Sequence, residues 1–359
     1  MIRRDFLALA AATALLTLTG LPAAAQDEPL KVGFIYVGPI GDYGWSYQHD
    51  QGRLAIEEHF GDKVDTTYVE SVSEGPDAAR VIRQLAASGH DLIFTTSFGF
   101  MDPTVKIAKM FPDVKFEHAT GYTRLPNLST YSARFYEGRW IIGTIAGLMT
   151  ETDKIGYVAS VPIPEVIRGI NAATLAARRV NPDVEVQVVW VNSWYDPAKE
   201  ADAAKALIAQ GADMIMQHTD SPAALQVAEN AGVHAFGQAS NMIEFAPTAQ
   251  LTAIVDDWAP YYIDRVQAVL DGTWESQDIW GGLEEGFVAM APYTNMPDEV
   301  KAAAEEQEEL IRSGQLHPFT GPIKDREGTL RIPEGETATD EELLGMDWFV
   351  EGVQGELPN

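Results

Sequence analysis

The sequence predicts an α/β fold of two similar lobes, each a parallel sheet flanked by helices, with a ligand cleft between the lobes. Three observations predict it. Short apolar runs of strand length alternate with segments of helical length, which is the signature of parallel sheets joined by right-handed crossovers. The alternation occurs twice, and its two halves run in step. Proline near the start of a helix and glycine just past its end recur at corresponding places in both halves, following the usual capping asymmetry.

In chain order, Val32 to Val37 reads as a buried strand that leads through a Pro-containing loop into a helix with Leu54, Ala55 and Ile56. A strand ending at Thr67 to Ser71 follows. Pro76 then starts a helix that stops at Gly89 before the strand Asp91 to Thr95, and Asp102-Pro103 starts another before Val114 to His118. The second half repeats this plan with Ile155 to Val158, a loop at Val161 to Pro164, a helix around Leu175 and the strand Val184 to Val191. Pro197 starts the helix that stops at Gly211 before Asp213 to Gln217, and Ser221-Pro222 starts the one before Val233 to Phe236. Asn127 to Gly138 is the expected first crossing between lobes, and Leu251 to Val255 the second. A helix from Trp258 to Gly272, strand-like sequence to about Ala291 and an acidic helix from Pro297 to Ser313 complete the lobes. The expected division is 26–130 plus 253–291 for the N-terminal lobe, 131–252 plus 292–345 for the C-terminal lobe, and 346–359 as a tail. Two such lobes bring the carboxyl ends of both strand sets to one cleft, where open α/β sheets bind ligands.

The 359 residues carry 53 acidic and 25 basic side chains, a formal net charge of −28. Such a surface repels phosphate backbones and anionic lipid, so neither nucleic acid nor a membrane surface is an expected partner. The absence of cysteine removes disulfides, thiolate metal sites and a cysteine nucleophile. Residues 1–25 read as a secretory signal peptide: a basic start, an apolar run from Phe6 to about Leu21, and small residues at Ala23 and Ala25. Arg3-Arg4 makes it twin-arginine-like, with a general secretory signal as the alternative. With no cysteine after the expected cleavage point and no further apolar run near ~20 residues, the expectation is a periplasmic protein that is soluble, monomeric and without a lipid anchor.

The glycines of GPIGDYGWSYQHDQG, residues 38–52, make neither G-x-G-x-x-G nor a P-loop. Ser97 lacks the G-x-S-x-G setting of a hydrolase nucleophile, and the seven histidines hold no H-x-x-x-H pair. Catalytic residues, a metal and a cofactor are therefore all expected to be absent. What remains are strand-exit loops loaded with aromatic, amide and carboxylate groups. Tyr43, Trp45 and Ser46 belong to the first, Phe98, Phe100 and Asp102 follow Thr95, and Trp194 with Tyr195 follows Val191. In the second half Asp220, Gln238 and Asn241 occupy the matching exits, and Arg168 opens a helix facing the cleft. Each has a structural alternative: Asp102, Asp220 and Asn241 as helix caps, Arg168 as an interlobe ion pair, Trp45 as lobe packing, and Trp194 as a staple on the following helix.

The stretches Gly41 to Tyr47, Thr96 to Asp102, Tyr136 to Met149 and Asn192 to Lys199 together resemble the basic membrane protein family. These are type I periplasmic binding proteins that serve ABC importers, and several bind purine nucleosides. The resemblance covers nearly all of residues 30–345. It implies that Trp45 and Trp194 stand where relatives place phenylalanines that stack on the nucleobase, and that Asp102 matches a carboxylate that reads the ring edge. Relatives that hold ribose do so with an Asp and a Lys at positions that here carry Ala239 and Asp256. The resemblance therefore implies a free purine base, adenine-like, delivered to an inner-membrane ABC permease. A nucleoside, a flavin or a small sugar is the alternative ligand, and a sensor's ligand domain or a hydrolase is the alternative class.

Overall fold

In a computed structural model, residues 28–41 and 43–358 are described; the reading of residues 1–25 as a signal peptide lies outside them. The first half forms β1 (Leu30–Ile35), α1 (Gly44–Phe60), β2 (Val64–Val69), α2 (Pro76–Ala87), β3 (Leu92–Thr95), α3 (Met101–Ala108), β4 (Lys115–Ala119) and β5 (Leu128–Ala133). The second half forms α4 (Phe135–Met149), β6 (Lys154–Ala159), α5 (Pro164–Val180), β7 (Glu185–Trp190), α6 (Pro197–Ala209), β8 (Met214–His218), α7 (Ala223–Ala231), β9 (His234–Gly237) and β10 (Gln250–Asp256). Then come α8 (Ala259–Leu270), β11 (Asp278–Gly281), β12 (Val288–Met290) and α9 (Asp298–Arg312).

Within each half the strands take the order second, first, third, fourth, fifth: β2-β1-β3-β4-β5 in one sheet and β7-β6-β8-β9-β10 in the other. All of these neighbours pair in parallel. The duplication seen in the sequence is thus a duplication of topology. Parallel strands covered on both faces need continuous apolar runs, and Leu92 to Thr95 and Met214 to Gln217 are buried throughout. Helix α4 is buried on nearly all sides. Gly143 and Gly147 let the backbone of α5 approach at Ala173 and Ala177, where a Cβ on either glycine would overlap it.

Three boundaries differ from the sequence reading. Residues 131–133 finish β5 of the first sheet, so the chain leaves that lobe just before α4. The run Gln250–Asp256 is wholly a strand of the second sheet, pairing with β9 and, antiparallel, with β12. The second crossing therefore follows Asp256, and between there and β12 only α8, packed on α1, and β11, paired with β5, return to the first lobe. The residues after 345 are not a free tail. Beyond the hairpin β13 (Ile323–Lys324) and β14 (Leu330–Ile332) and the short α10 (Asp340–Leu344), Met346, Phe349, Val350 and Val353 are buried. The strand β15 (Val353–Gln354) then adds a parallel edge to β7. A two-residue strand in a Gly- and Glu-rich segment is too short to show a period, which is why the sequence reads as a tail there.

Candidate ligand-binding cleft

A strand order that reverses beside its first strand opens a crevice at the carboxyl ends, between β1 and β3 in one sheet and between β6 and β8 in the other. A cavity joins the two crevices, lined by Val37, Trp45, Ser97, Phe98, Thr120, Glu165, Trp194, His218, Asp220 and Gln238. Every lining residue lies at the carboxyl end of a strand or in the segment after it.

Each lobe contributes one tryptophan. Trp45 sits in the first turn of α1 rather than in a free loop. Its indole N–H donates to the Thr96 carbonyl at 2.6 Å, and the ring is braced by edge contacts to His49, Phe135 and Trp258. Trp194 follows β7, and its indole N–H donates to Glu74 Oε1 at 3.1 Å. The polar wall comes mainly from the second lobe. Glu165, His218, Asp220 and Gln238 are all 9 % exposed or less. Glu165 approaches His218 Nε2 at 3.6 Å. Burial lowers the His218 pKa against the raising effect of Glu165, so the ring favours the neutral form. Burial, with Glu200 nearby, holds the Asp220 pKa well above the usual carboxylate value, although the Trp45 backbone N–H donates to its carboxyl. Oδ2 of Asp220, Nδ1 of His218 and Oγ1 of Thr120 have no hydrogen-bond partner among the described residues.

Behind this wall Arg139, fully buried on α4, donates to the Gln217 carbonyl at 2.8 Å and to Gln238 Oε1. Backbone strain gathers around the cleft in matched pairs. Ser71 and Asn192, after β2 and β7, have φ of 55° and 51°, while Thr120 and Ala239, after β4 and β9, have 57° and 59°. Non-glycine residues held there mark positions that the surrounding structure dictates.

Of the ten residues expected to form the site, the structure brings Trp45, Trp194, Asp220 and Gln238 to the cavity and places six elsewhere. Phe100 is fully buried in the core of the first lobe, because the 3₁₀ turn Phe98–Phe100 sends its two aromatic rings to different sides. Asp102 is exposed on the first turn of α3. Ser46 accepts the Gly38 N–H at 3.0 Å and so closes the first loop on itself. Tyr43 reaches the other lobe but donates to Glu244 at 3.2 Å and stacks on Tyr47. Arg168 donates to the Leu343 carbonyl and lies over Trp280, on the far side of Glu165. Asn241 accepts from Gln250 and from the Ile243 N–H within its own turn. The residues not anticipated, Glu165 and His218 above all, lie after β6 and at the end of β8, strands whose counterparts β1 and β3 lead to Trp45 and Ser97 in the first half. The internal repeat is the signal that points to them, since Glu165 opens the helix after β6 just as Trp45 opens the helix after β1. Among the described residues no cluster of acidic or imidazole groups is arranged to hold a metal, and no helix is long and apolar enough to cross a membrane.

Residues 30–321 match the family model of PnrA-like ABC transporter substrate-binding proteins, Bmp. The chain belongs to this family. It is 62% identical over 336 residues to a purine-binding protein of Brucella abortus (strain 2308), covering 94% of this chain and 96% of that protein. It is 40% identical over 337 residues to a putative ABC transporter glucose-binding protein of Haloferax volcanii, covering 93% and 83%. A solved ABC transporter solute-binding protein from Aeropyrum pernix K1 shares the two-lobed type I fold with a TM-score of 0.71 at 19% identity, covering 88% of this chain and 97% of that one.

Proposed function

We propose that this Bmp-family protein captures a purine base between its lobes, in the periplasm, and delivers it to an ABC permease. The observation that carries the reading is the cavity itself, with one tryptophan from each lobe and a wall of buried carboxyl, imidazole and amide groups. The aromatic faces suit a flat ring, and the polar wall suits its N–H and ring-nitrogen edge. Asp220 and Glu165 take the edge-reading role that the family resemblance implies for Asp102. The lack of the two ribose anchors favours a base over a nucleoside: Ala239 has no polar side chain, and Asp256 is buried and does not line the cavity. The purine-binding relative supports the ring class, and the relative named for glucose makes a small sugar the competing ligand.

Side-by-side calorimetric titrations of adenine against adenosine, hypoxanthine against inosine, and D-glucose test the choice. Each base should bind at least about tenfold more tightly than its nucleoside, which needs only ~1.4 kcal/mol, about one unpaired ribose hydroxyl. Equal or tighter nucleoside binding in both pairs rejects the base reading, and glucose binding without purine binding rejects the ring class. Trp45→Ala and Trp194→Ala should each weaken adenine by about 1–3 kcal/mol in a folded protein, as lost base stacking does. Unchanged affinity in either variant removes that residue from the clamp.

A further inference from the structure

Beside the cavity, and sharing Val37 and Trp194 with it, lies an outer groove that also takes in Ser73 and Glu74 of the first lobe and Asn192 and Ser193 of the second. Trp194 is the wall between the two spaces. Glu74 follows β2, in the first lobe, yet its Oε1 accepts three hydrogen bonds: from Ser97 Oγ at 2.7 Å, from the Gly99 N–H at 3.0 Å and, across the cleft, from the indole N–H of Trp194 at 3.1 Å. The first two are within its own lobe and fix the carboxylate in place. Gly99 is bare for the same purpose, because a Cβ there would overlap the Glu74 carboxyl group. The carboxylate is thus held in place by its own lobe, and Trp194 reaches the same oxygen from the other lobe. A hydrogen bond with a charged partner is among the stronger kinds, and here it joins an exposed carboxylate to a half-buried indole.

We propose that Glu74 is a positioning residue for ligand capture: its carboxylate latches the second lobe's Trp194 across the cleft, and so holds that ring as the closed wall between the cavity and the outer groove. The latch rests on the cleft's being the binding site, but its closure readout does not depend on the ligand's being a purine. It acts on the closed state, so its removal speeds ligand escape more than it slows entry.

The test compares wild type, Glu74→Ala and Glu74→Gln in the full-length mature protein. Stopped-flow release of adenine should accelerate about tenfold in Glu74→Ala, equivalent to ~1.4 kcal/mol, with an association rate within about threefold of wild type. Glu74→Gln retains an acceptor oxygen and should recover most of the loss. In parallel, spin labels placed on α2 and α6 report the interlobe distance in both variants, and the Trp194 indole N–H resonance, assigned with Trp194→Phe, reports its hydrogen bond. Glu74→Ala should shift the distance toward open and move the indole resonance, and neither change is expected from a residue that merely packs. An unchanged distance and an unchanged indole resonance overturn the latch, whatever adenine does. If adenine fails to bind wild type, the purine reading falls, and the two ligand-independent readouts alone uphold or overturn the latch.

Discussion

Replacing Gly44 with alanine is expected to weaken ligand binding by about 100-fold or more, equivalent to ~2.7 kcal/mol, while leaving each lobe folded. Gly44 is the first residue of α1, with φ of 83°, and a Cβ on it would overlap the backbone carbonyl of Asp220 in the other lobe. Alanine would therefore face two costs. The left-handed conformation costs about 1–2 kcal/mol for an L-residue. The overlap is with backbone, which cannot rotate away, so it is relieved only by separating the lobes. That separation breaks a specific set of bonds, because Tyr43, the residue before the first turn of α1, makes no side-chain capping hydrogen bond to that turn. Its orphan N–H groups are served by the second lobe instead: the Gly44 N–H donates to Ser240 Oγ at 2.6 Å and the Trp45 N–H to the Asp220 carboxyl. A helix start buried without such partners loses stability, and here the partners exist only with the cleft closed. Gly41, in the same loop, has open space around it and supplies the control, since Gly41→Ala should bind normally. Calorimetry on both variants, with circular dichroism to confirm folding, decides the matter. Normal affinity in Gly44→Ala would show that α1 does not need the second lobe against it.

The same helix start shows how far the sequence can be read. The loop around Trp45 was legible as a site because glycine and proline surround a large aromatic residue that cannot be buried locally, and Trp194 was legible because the repeat put it at the matching strand exit. The fold was legible almost throughout, since parallel sheets with crossover helices impose a pattern on every residue of the repeat. Phe100 and Asp102 were misplaced for a physical reason. Proximity to a strand end says which loop a residue is in, but one residue of a 3₁₀ turn decides whether its side chain faces the cavity, the core or solvent. Glu165 and His218 were passed over because an isolated Glu after a proline reads as a helix-start charge, and His218 ends a strand of buried residues. Only the convergence of three separate segments makes them a wall. The lobe boundaries at Asp256 and after 345 escaped for a related reason. Antiparallel β12 and short β15 are held by partners far away in sequence, and no local period announces such strands.

Arg139→Ala should destabilise the protein by about 3–5 kcal/mol, read as a lower midpoint in thermal or denaturant unfolding. The Arg139 guanidinium is fully buried, and burial lowers its pKa. It serves two acceptors, the Gln217 carbonyl and Gln238 Oε1, that have little other support at the end of β8 and after β9. Removing it strands both in the interior and leaves a void the size of its side chain, and Gln238 loses the contact that orients it toward the cavity. A charge argument gives the loss a pH signature. Burial, then Glu165 and Asp220, hold the Asp256 pKa well above its ordinary 3.8, and Arg139 opposes them. Without Arg139 that pKa rises further. A carboxyl raised in the folded state contributes its full stability below the unfolded pKa and loses it as pH rises through the folded one. The variant's defect should therefore grow with pH, beginning where Asp256 of the wild type ionises and levelling off above the variant's own higher pKa. His218 reinforces the trend, because Arg139 also disfavours its charged form; the variant gains at acid pH what the arginine had withheld. Unfolding midpoints of both proteins, followed from acid pH upward into the alkaline range, provide the check. A defect that stays flat or shrinks over that range would mean that the two stranded acceptors and the void account for the whole cost and that the arginine does not neutralise the carboxyl wall behind the cleft. Arg139→Lys separates the terms: it keeps the charge but cannot reach both acceptors with one planar fork. It should restore the pH behaviour while recovering only part of the stability.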